Sequence, residues 1–384
     1  MSNKKNYSKL SVELHKKFGG KMEIKSVCLI ETIDDLSTIY TPGVAEPCRI
    51  IAEDKERSFD LTWRGRTVAV VSDGSAVLGL GNIGPEAAMP VMEGKCLLFK
   101  EFGNVDALPI CLDTQDTDEI VETVVRIAPS FGGINLEDIS APRCFEIEAK
   151  LKERLNIPIF HDDQHGTAIV VVAAMKNALK VVGKKIEEVK IVISGAGAAG
   201  IAIAKLIMIA GGKNIVMTDS KGVIGSHRDN LNSAKQEILS QFTLDEVGDI
   251  HSAMNNADVF VGVSKAGIID KTDIEKMNKD AIVFAMANPT PEIFPDEAKA
   301  GGARIVATGR SDFANQVNNV VAFPGLFAGL FAIGARSITP EIFMVVADAI
   351  SSSVENPSEE NIIPSPLDKS VAENVKNAVI NFSK

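Results

Sequence analysis

The sequence predicts an α/β protein in two parts: an N-terminal α/β domain over residues 1–163, then a doubly wound parallel sheet with its covering helices over residues 164–384. Three observations predict it. A chain of 384 residues is longer than one ordinary core needs. Short β-branched runs that end on glycine, asparagine or an acid alternate with helix-length segments, the pattern of parallel sheets. A glycine-rich turn at 195–200 joins one such run directly to a helix.

Bulk composition narrows the class. Hydrophobic residues make up 45% and charged residues 24%, the balance of a soluble globular chain. A net charge of −11 speaks against nucleic acid as a partner, which calls for a basic face. Cys28, Cys48, Cys96, Cys111 and Cys144 are widely spaced and form no CxxC pair, as expected of reduced thiols in a cytoplasmic protein. The start, Met1 to Asn6, has no apolar stretch, so no signal peptide is expected. The uncharged run 320–335 is broken by Pro324 and three glycines and reads as a core helix with its lead-in; no membrane association is expected.

Taken in order, residues 7–20 form an amphipathic helix with Leu10, Leu14 and Phe18 on one side. Pro42-Gly43 then makes a turn that presents Tyr40; an aromatic packing a loop is its plainest reading. The strand 67–72 runs into Asp73-Gly74. The literal GxGxxG at 79–84 lacks the following strand and acid, so it reads as a turn for close backbone or ligand approach. Lys95, beside apolar 96–99, is either a surface lysine covering its neighbours or a partly desolvated base. Asp116 to Glu119 opens a helix with acids in its first turn.

Two strand ends carry adjacent acids, Glu137-Asp138 and Asp162-Asp163. Converging carboxylates make a hard-cation site suited to Mg²⁺ or Mn²⁺. Zinc on His161 and His165 is the competing reading, but that spacing needs a helix and these residues fall at a strand-to-helix turn. Gly166-Thr167 then opens a buried helix.

The second half carries the strongest signal. Strand 189–194, the turn Gly195-Ala196-Gly197-Ala198-Ala199-Gly200, a helix, strand 215–218 and Asp219 complete the context of a Rossmann-type nicotinamide dinucleotide site. Asp219 suits ribose hydroxyls and hence NAD, whereas Ser220-Lys221 suits a 2′-phosphate and hence NADP. Strands at 259–263, 282–286 and 304–307 continue the parallel sheet. Asn288 and Asn319 sit in strand-end segments, where asparagines cap helices or face a ligand. Helices near 340–353 and 368–382 close the chain and are expected to pack back toward the first domain.

With these motifs in hand, the chain resembles malic enzyme, in particular its short bacterial-type form. The resemblance is carried by 40–45, 72–84, 92–95, 135–139, 160–167, the 195–200 turn and both asparagine segments, in the family's order. It implies metal-dependent oxidative decarboxylation of (S)-malate to pyruvate and CO₂ with NAD or NADP, in a homodimer. By similarity Tyr40 is the general acid and Lys95 the general base, kept neutral by a nearby cation. Glu137, Asp138 and Asp163 are metal ligands, Asp162 orients the lysine or a metal-bound water, and Asn288 and Asn319 contact substrate or cofactor. One departure stands out. Larger members place a carboxylate-gripping arginine just after the Asp-Gly turn, where this chain has Ala76. Two other classes remain at this point: a metal-independent dehydrogenase such as an amino-acid dehydrogenase, and a non-catalytic dinucleotide-binding regulator.

Overall fold

The structure, a computed structural model, describes residues 6–229 and 231–383, with Leu78 described by its backbone alone. Most of Met1 to Asn6, where the absence of a signal peptide was expected, lies outside the described residues.

Two sheets form, as the sequence predicts. In the first, β1 (Thr67–Ser72), β2 (Asp106–Cys111), β3 (Gly133–Leu136) and β4 (Ile159–His161) pair in the order β2-β1-β3-β4, all parallel. In the second, β5 (Lys190–Ser194), β6 (Asn214–Asp219), β7 (Gly222–Val223), β8 (Val259–Gly262), β9 (Ala281–Ala285) and β10 (Ala303–Thr308) take the order β10-β9-β8-β5-β6-β7. Only β7 runs antiparallel, and at two residues it is too short to leave a periodic trace in the sequence. The chain changes direction across this sheet at β5, so the crevice at its carboxyl end is the place such folds bind ligands.

After β4 the chain runs into the Thr167–Val182 helix, whose residues Ala168 to Met175 are all buried, packed on helices Ala198–Ile209 and Pro340–Ser352. The stretch Asp162–Val182 is apolar and long enough to cross a membrane by composition. With 67% of its most apolar window buried against protein, it is a core helix instead. Asn177 on it donates to Ser351 O (2.9 Å) and Ile362 O (3.0 Å), tying it to the C-terminal helices. The 320–335 run also proves to be core: the Phe323–Ala332 helix packs on Pro85–Gly103, with Phe99 and Phe323 ring centroids 4.6 Å apart.

The N-terminus differs from a simple domain wall. Helices Tyr7–Phe18, Ile33–Ile39 and Ala45–Glu53 form, but among the described residues none before Thr67 is buried. Ile24, Val27, Leu29 and Ile33 are each more than three-quarters exposed. An amphipathic period shows that a helix has an apolar side; it does not say what covers that side.

Candidate active site

The parallel pairing of β3 with β4 puts Leu136 opposite His161, so the acids that follow each strand emerge side by side. Asp138 takes a left-handed backbone (φ 54°) that turns it back, and its N–H donates to Asp163 Oδ2 at 2.8 Å. Oxygens of Glu137, Asp138 and Asp163 all lie within 4.8 Å of one another. Burial, added to crowding by the neighbouring acids, raises the Glu137 carboxyl well above its ordinary range even though Lys95 opposes this. A divalent cation relieves such crowding, and an all-oxygen donor set suits Mg²⁺ or Mn²⁺. Asp162 Oδ1 and Asn135 Oδ1 are also buried there without a hydrogen-bond partner. These residues fit the implied metal.

Lys95 comes from the Pro85–Gly103 helix, across the sheet. Its Nζ lies 2.5 Å from Asp162 Oδ2 and 2.9 Å from Glu137 Oε1, and 4.4 Å from the centre of the Phe323 ring. Of its two sequence readings, the partly desolvated lysine is the observed one. The neutral form expected of Lys95 is one held by a nearby cation; the surrounding carboxylates by themselves act the other way. Burial does work to lower the ammonium's pKa, but the Asp162 and Glu137 carboxylates outweigh it and raise the value above normal. Asn319 joins the same cluster, donating to Asp162 Oδ2 at 3.0 Å and to Thr167 Oγ1 at 3.2 Å.

Zinc on His161 and His165 finds no support in the geometry. The His165 Nε2 pairs with Glu148 Oε1 at 2.7 Å. The His161 ring is fully buried with neither nitrogen hydrogen-bonded, and burial lowers its pKa.

On the cofactor side, each turn glycine has its own physical reason. A Cβ on Gly195 would meet Val263 O at 2.7 Å, and one on Gly200 would meet Gly195 O at 1.8 Å. A Cβ on Gly197 would meet nothing within 4 Å, which leaves that side of the backbone open to a pyrophosphate at the start of the Ala198–Ile209 helix. The strand-turn-helix therefore fits a dinucleotide. Asp219 is not free to act alone. It takes Arg228 through both guanidinium nitrogens (3.1 and 3.2 Å), Lys235 Nζ at 2.6 Å, and the N–H of Lys221 at 2.9 Å. Ser220 and Lys221 are exposed beside it. Sequence reasoning missed Arg228 and Lys235, which a loop folds back from 9 and 16 positions downstream.

Asn288, just beyond β9, lies against the 79–84 turn and Gly309. A Cβ on Gly79 would meet Asn288 O at 2.6 Å, and one on Gly309 would meet Asn288 Nδ2 at 2.8 Å. The glycine turn at 79–84 thus serves close backbone approach, as expected. Ala76 donates its N–H to Asp138 O at 2.9 Å, bracing a metal-ligand loop and offering no charge. Arg143, also missed, braces the same loops through Asp73 Oδ2 (2.8 Å), Ser75 Oγ and Ser140 Oγ (3.0 Å each). Tyr40 stands apart: 67% exposed on the N-terminal arm, it shares no enclosed site with the buried Lys95 within one chain.

Comparison with known proteins decides the family. Residues 19–152 match the profile described as malic enzyme, N-terminal domain, and residues 164–382 match malic enzyme, NAD binding domain. The chain belongs to the malic enzyme family. It is 54% identical to a bifunctional malic/malolactic enzyme of Bacillus subtilis, over 96% of this chain and 91% of that protein. With an NAD-dependent malic enzyme of Geobacillus stearothermophilus it shares 55% identity, over 94% of this chain and 76% of that one. The crystal structure of malic enzyme from Pyrococcus horikoshii superposes with a TM-score of 0.95 at 48% identity, covering 98% of this chain and 90% of that chain.

Proposed function

We propose that this chain is a cytoplasmic malic enzyme, converting (S)-malate to pyruvate and CO₂ while reducing NAD⁺ or NADP⁺, with Mg²⁺ or Mn²⁺ held by Glu137, Asp138 and Asp163. The observation that carries this reading is the lysine–carboxylate cluster at two adjacent strand ends, in a family member whose Ala198–Ile209 helix, opened by the glycine turn, packs on the Asp162–Gly166 turn. A metal-independent dehydrogenase, or a regulator without chemistry, has no use for four acids and a lysine packed together.

When bound, the cation supplies charge stabilisation for an oxyanion and the nicotinamide supplies a hydride acceptor. The chain's own residues handle protons. Lys95 exchanges its proton with Asp162, 2.5 Å away, and in its neutral form takes the proton of the malate C2 hydroxyl. Asn319, anchored on Asp162, and Asn288, set against the 79–84 turn, present amides to substrate and cofactor. Tyr40 protonates the enol carbon to give pyruvate.

Because Tyr40 is exposed on an arm whose apolar side chains are uncovered, its delivery in trans fits best: a homodimer in which each arm packs on the partner and brings Tyr40 to the partner's cleft. The test is absorbance at 340 nm with malate and either nucleotide, with pyruvate measured in parallel. Equimolar reduced cofactor and pyruvate, lost on chelation and restored by Mn²⁺ or Mg²⁺, is the expected result. Rescue by zinc alone, or no malate-dependent reduction, contradicts it.

A further inference from the structure

The helix Arg143–Arg154 buries Cys144, Ile147 and Leu151, and in the same stripe it buries Glu148, which is only 6% exposed. A carboxylate at an apolar helix position is costly without donors, and Glu148 has three. His165 Nε2 lies 2.7 Å from its Oε1, Gln164 Nε2 donates at 3.1 Å, and Lys152 Nζ is 2.8 Å away. Burial works to raise the Glu148 pKa, yet His165 and Lys152 hold it well below the usual carboxylate range. An ionised carboxylate only accepts, so the His165 Nε2 carries a proton. The His165 ring is fixed as well, stacked on Phe343 at 4.6 Å and 22° and set against Phe160 at 5.8 Å.

Gln164 and His165 belong to a five-residue π-helical turn, Asp162–Gly166, closed by Thr167 N–H donating to Asp162 O. The same turn carries Asp162, bound to Lys95, and Asp163, bound to the Asp138 N–H. Gly166 makes room for it, since a Cβ there would meet Asp162 Oδ1 at 1.8 Å. A π turn is a rare geometry that its surroundings must impose. No partner of Glu148 is itself one of the reacting acids.

We propose that Glu148 is a positioning residue for the metal centre: by gripping Gln164 and His165 it sets the π turn so that Asp162 meets Lys95 and Asp163 converges with Glu137 and Asp138. This rests on the reading of Asp163 as a metal ligand.

The test measures Mn²⁺ affinity by electron paramagnetic resonance, NADH affinity by fluorescence, and thermal midpoint in chelator, all on the full-length protein. Glu148→Gln keeps the volume and removes the charge. His165→Phe keeps a ring against Phe343 and removes the donor, so it carries the test should the first variant fail to fold. In each, Mn²⁺ affinity falls about 10- to 100-fold, the usual cost of losing an outer partner of a ligand. NADH affinity stays within about twofold, because among the described residues no hydrogen bond joins Glu148 or His165 to the 195–200 turn, even though the helix that follows that turn packs on Asp162–Gly166. Unchanged Mn²⁺ affinity in both variants overturns the proposal. So does a parallel loss of Mn²⁺ affinity, NADH affinity and thermal midpoint, which marks a general brace. Wild-type protein and Asp163→Asn run alongside: Mn²⁺ binding that survives Asp163→Asn removes the ligand reading itself, a separate failure from that of the clamp.

Discussion

Lys95 Nζ stands 2.9 Å from Glu137 Oε1, so the proposed base and a proposed metal ligand share a charge-assisted hydrogen bond. Proton transfer and metal binding are coupled by that contact. Lys95→Ala therefore removes the base and leaves Glu137 and Asp162 facing each other uncompensated. Malate oxidation falls by about 10²- to 10⁴-fold or more, the usual contribution of a general acid–base group, while NADH binding measured by fluorescence is retained. Near-normal turnover in this variant removes Lys95 as the base.

Tyr40→Phe separates the two halves of the reaction. It slows pyruvate formation more than hydride transfer, followed by comparing reduced cofactor with pyruvate in single turnovers; equal loss of both contradicts the assignment. Delivery in trans has its own signature. When Tyr40→Phe and Lys95→Ala, each deficient in pyruvate formation alone, are mixed and allowed to exchange subunits, half the dimers are hybrids with one complete site each. About one quarter of wild-type activity returns. No recovery places Tyr40 and Lys95 of the same chain together.

Arg228 grips Asp219 through two nitrogens, at the strand end where a ribose 2′ position is read. Arg228→Ala releases the Asp219 charge and removes a phosphate partner. The ratio of kcat/KM for NADP over NAD is expected to fall by about tenfold, one charge-assisted hydrogen bond's worth. An unchanged ratio shows that this cluster does not choose the cofactor.

The same cluster makes a pH prediction. Burial opposes the shift, but Arg228 and Lys235 hold the Asp219 pKa well below its ordinary value, so the folded state binds fewer protons here than the unfolded one. Its stabilisation is present above the unfolded pKa of about 3.9 and is lost as pH falls through the lower folded value. Asp219→Asn thus lowers the thermal midpoint at pH 7, and the gap from wild type narrows below about pH 4. A gap independent of pH would trace the loss to packing.

Much of this site was legible in the sequence because its parts are local. Adjacent acids after short apolar strands, and a glycine turn between strand and helix, fix both geometry and chemistry within a few residues. The parallel register of β3 and β4 then brought the two acid pairs together. What stayed hidden depends on contacts made at a distance. Arg143 braces Asp73 from 70 positions away, and Glu148 reaches His165 across 17; neither spacing has a period. The π turn at 162–166 looked like an ordinary strand-to-helix turn, since one inserted residue leaves no compositional mark. The contact of Lys95 with Asp162, contributed from 67 residues further on, leaves no local signal either. On the N-terminal arm, helix and turn could be read, but not the surface they cover.

The central claim is that Glu137, Asp138 and Asp163 hold one divalent cation beside Lys95. Titrating Mn²⁺ into metal-free protein by calorimetry tests it most directly. One site per chain in the wild type, abolished in Asp163→Asn with the thermal midpoint in chelator preserved, is the predicted result. Wild-type Mn²⁺ affinity in Asp163→Asn would contradict it.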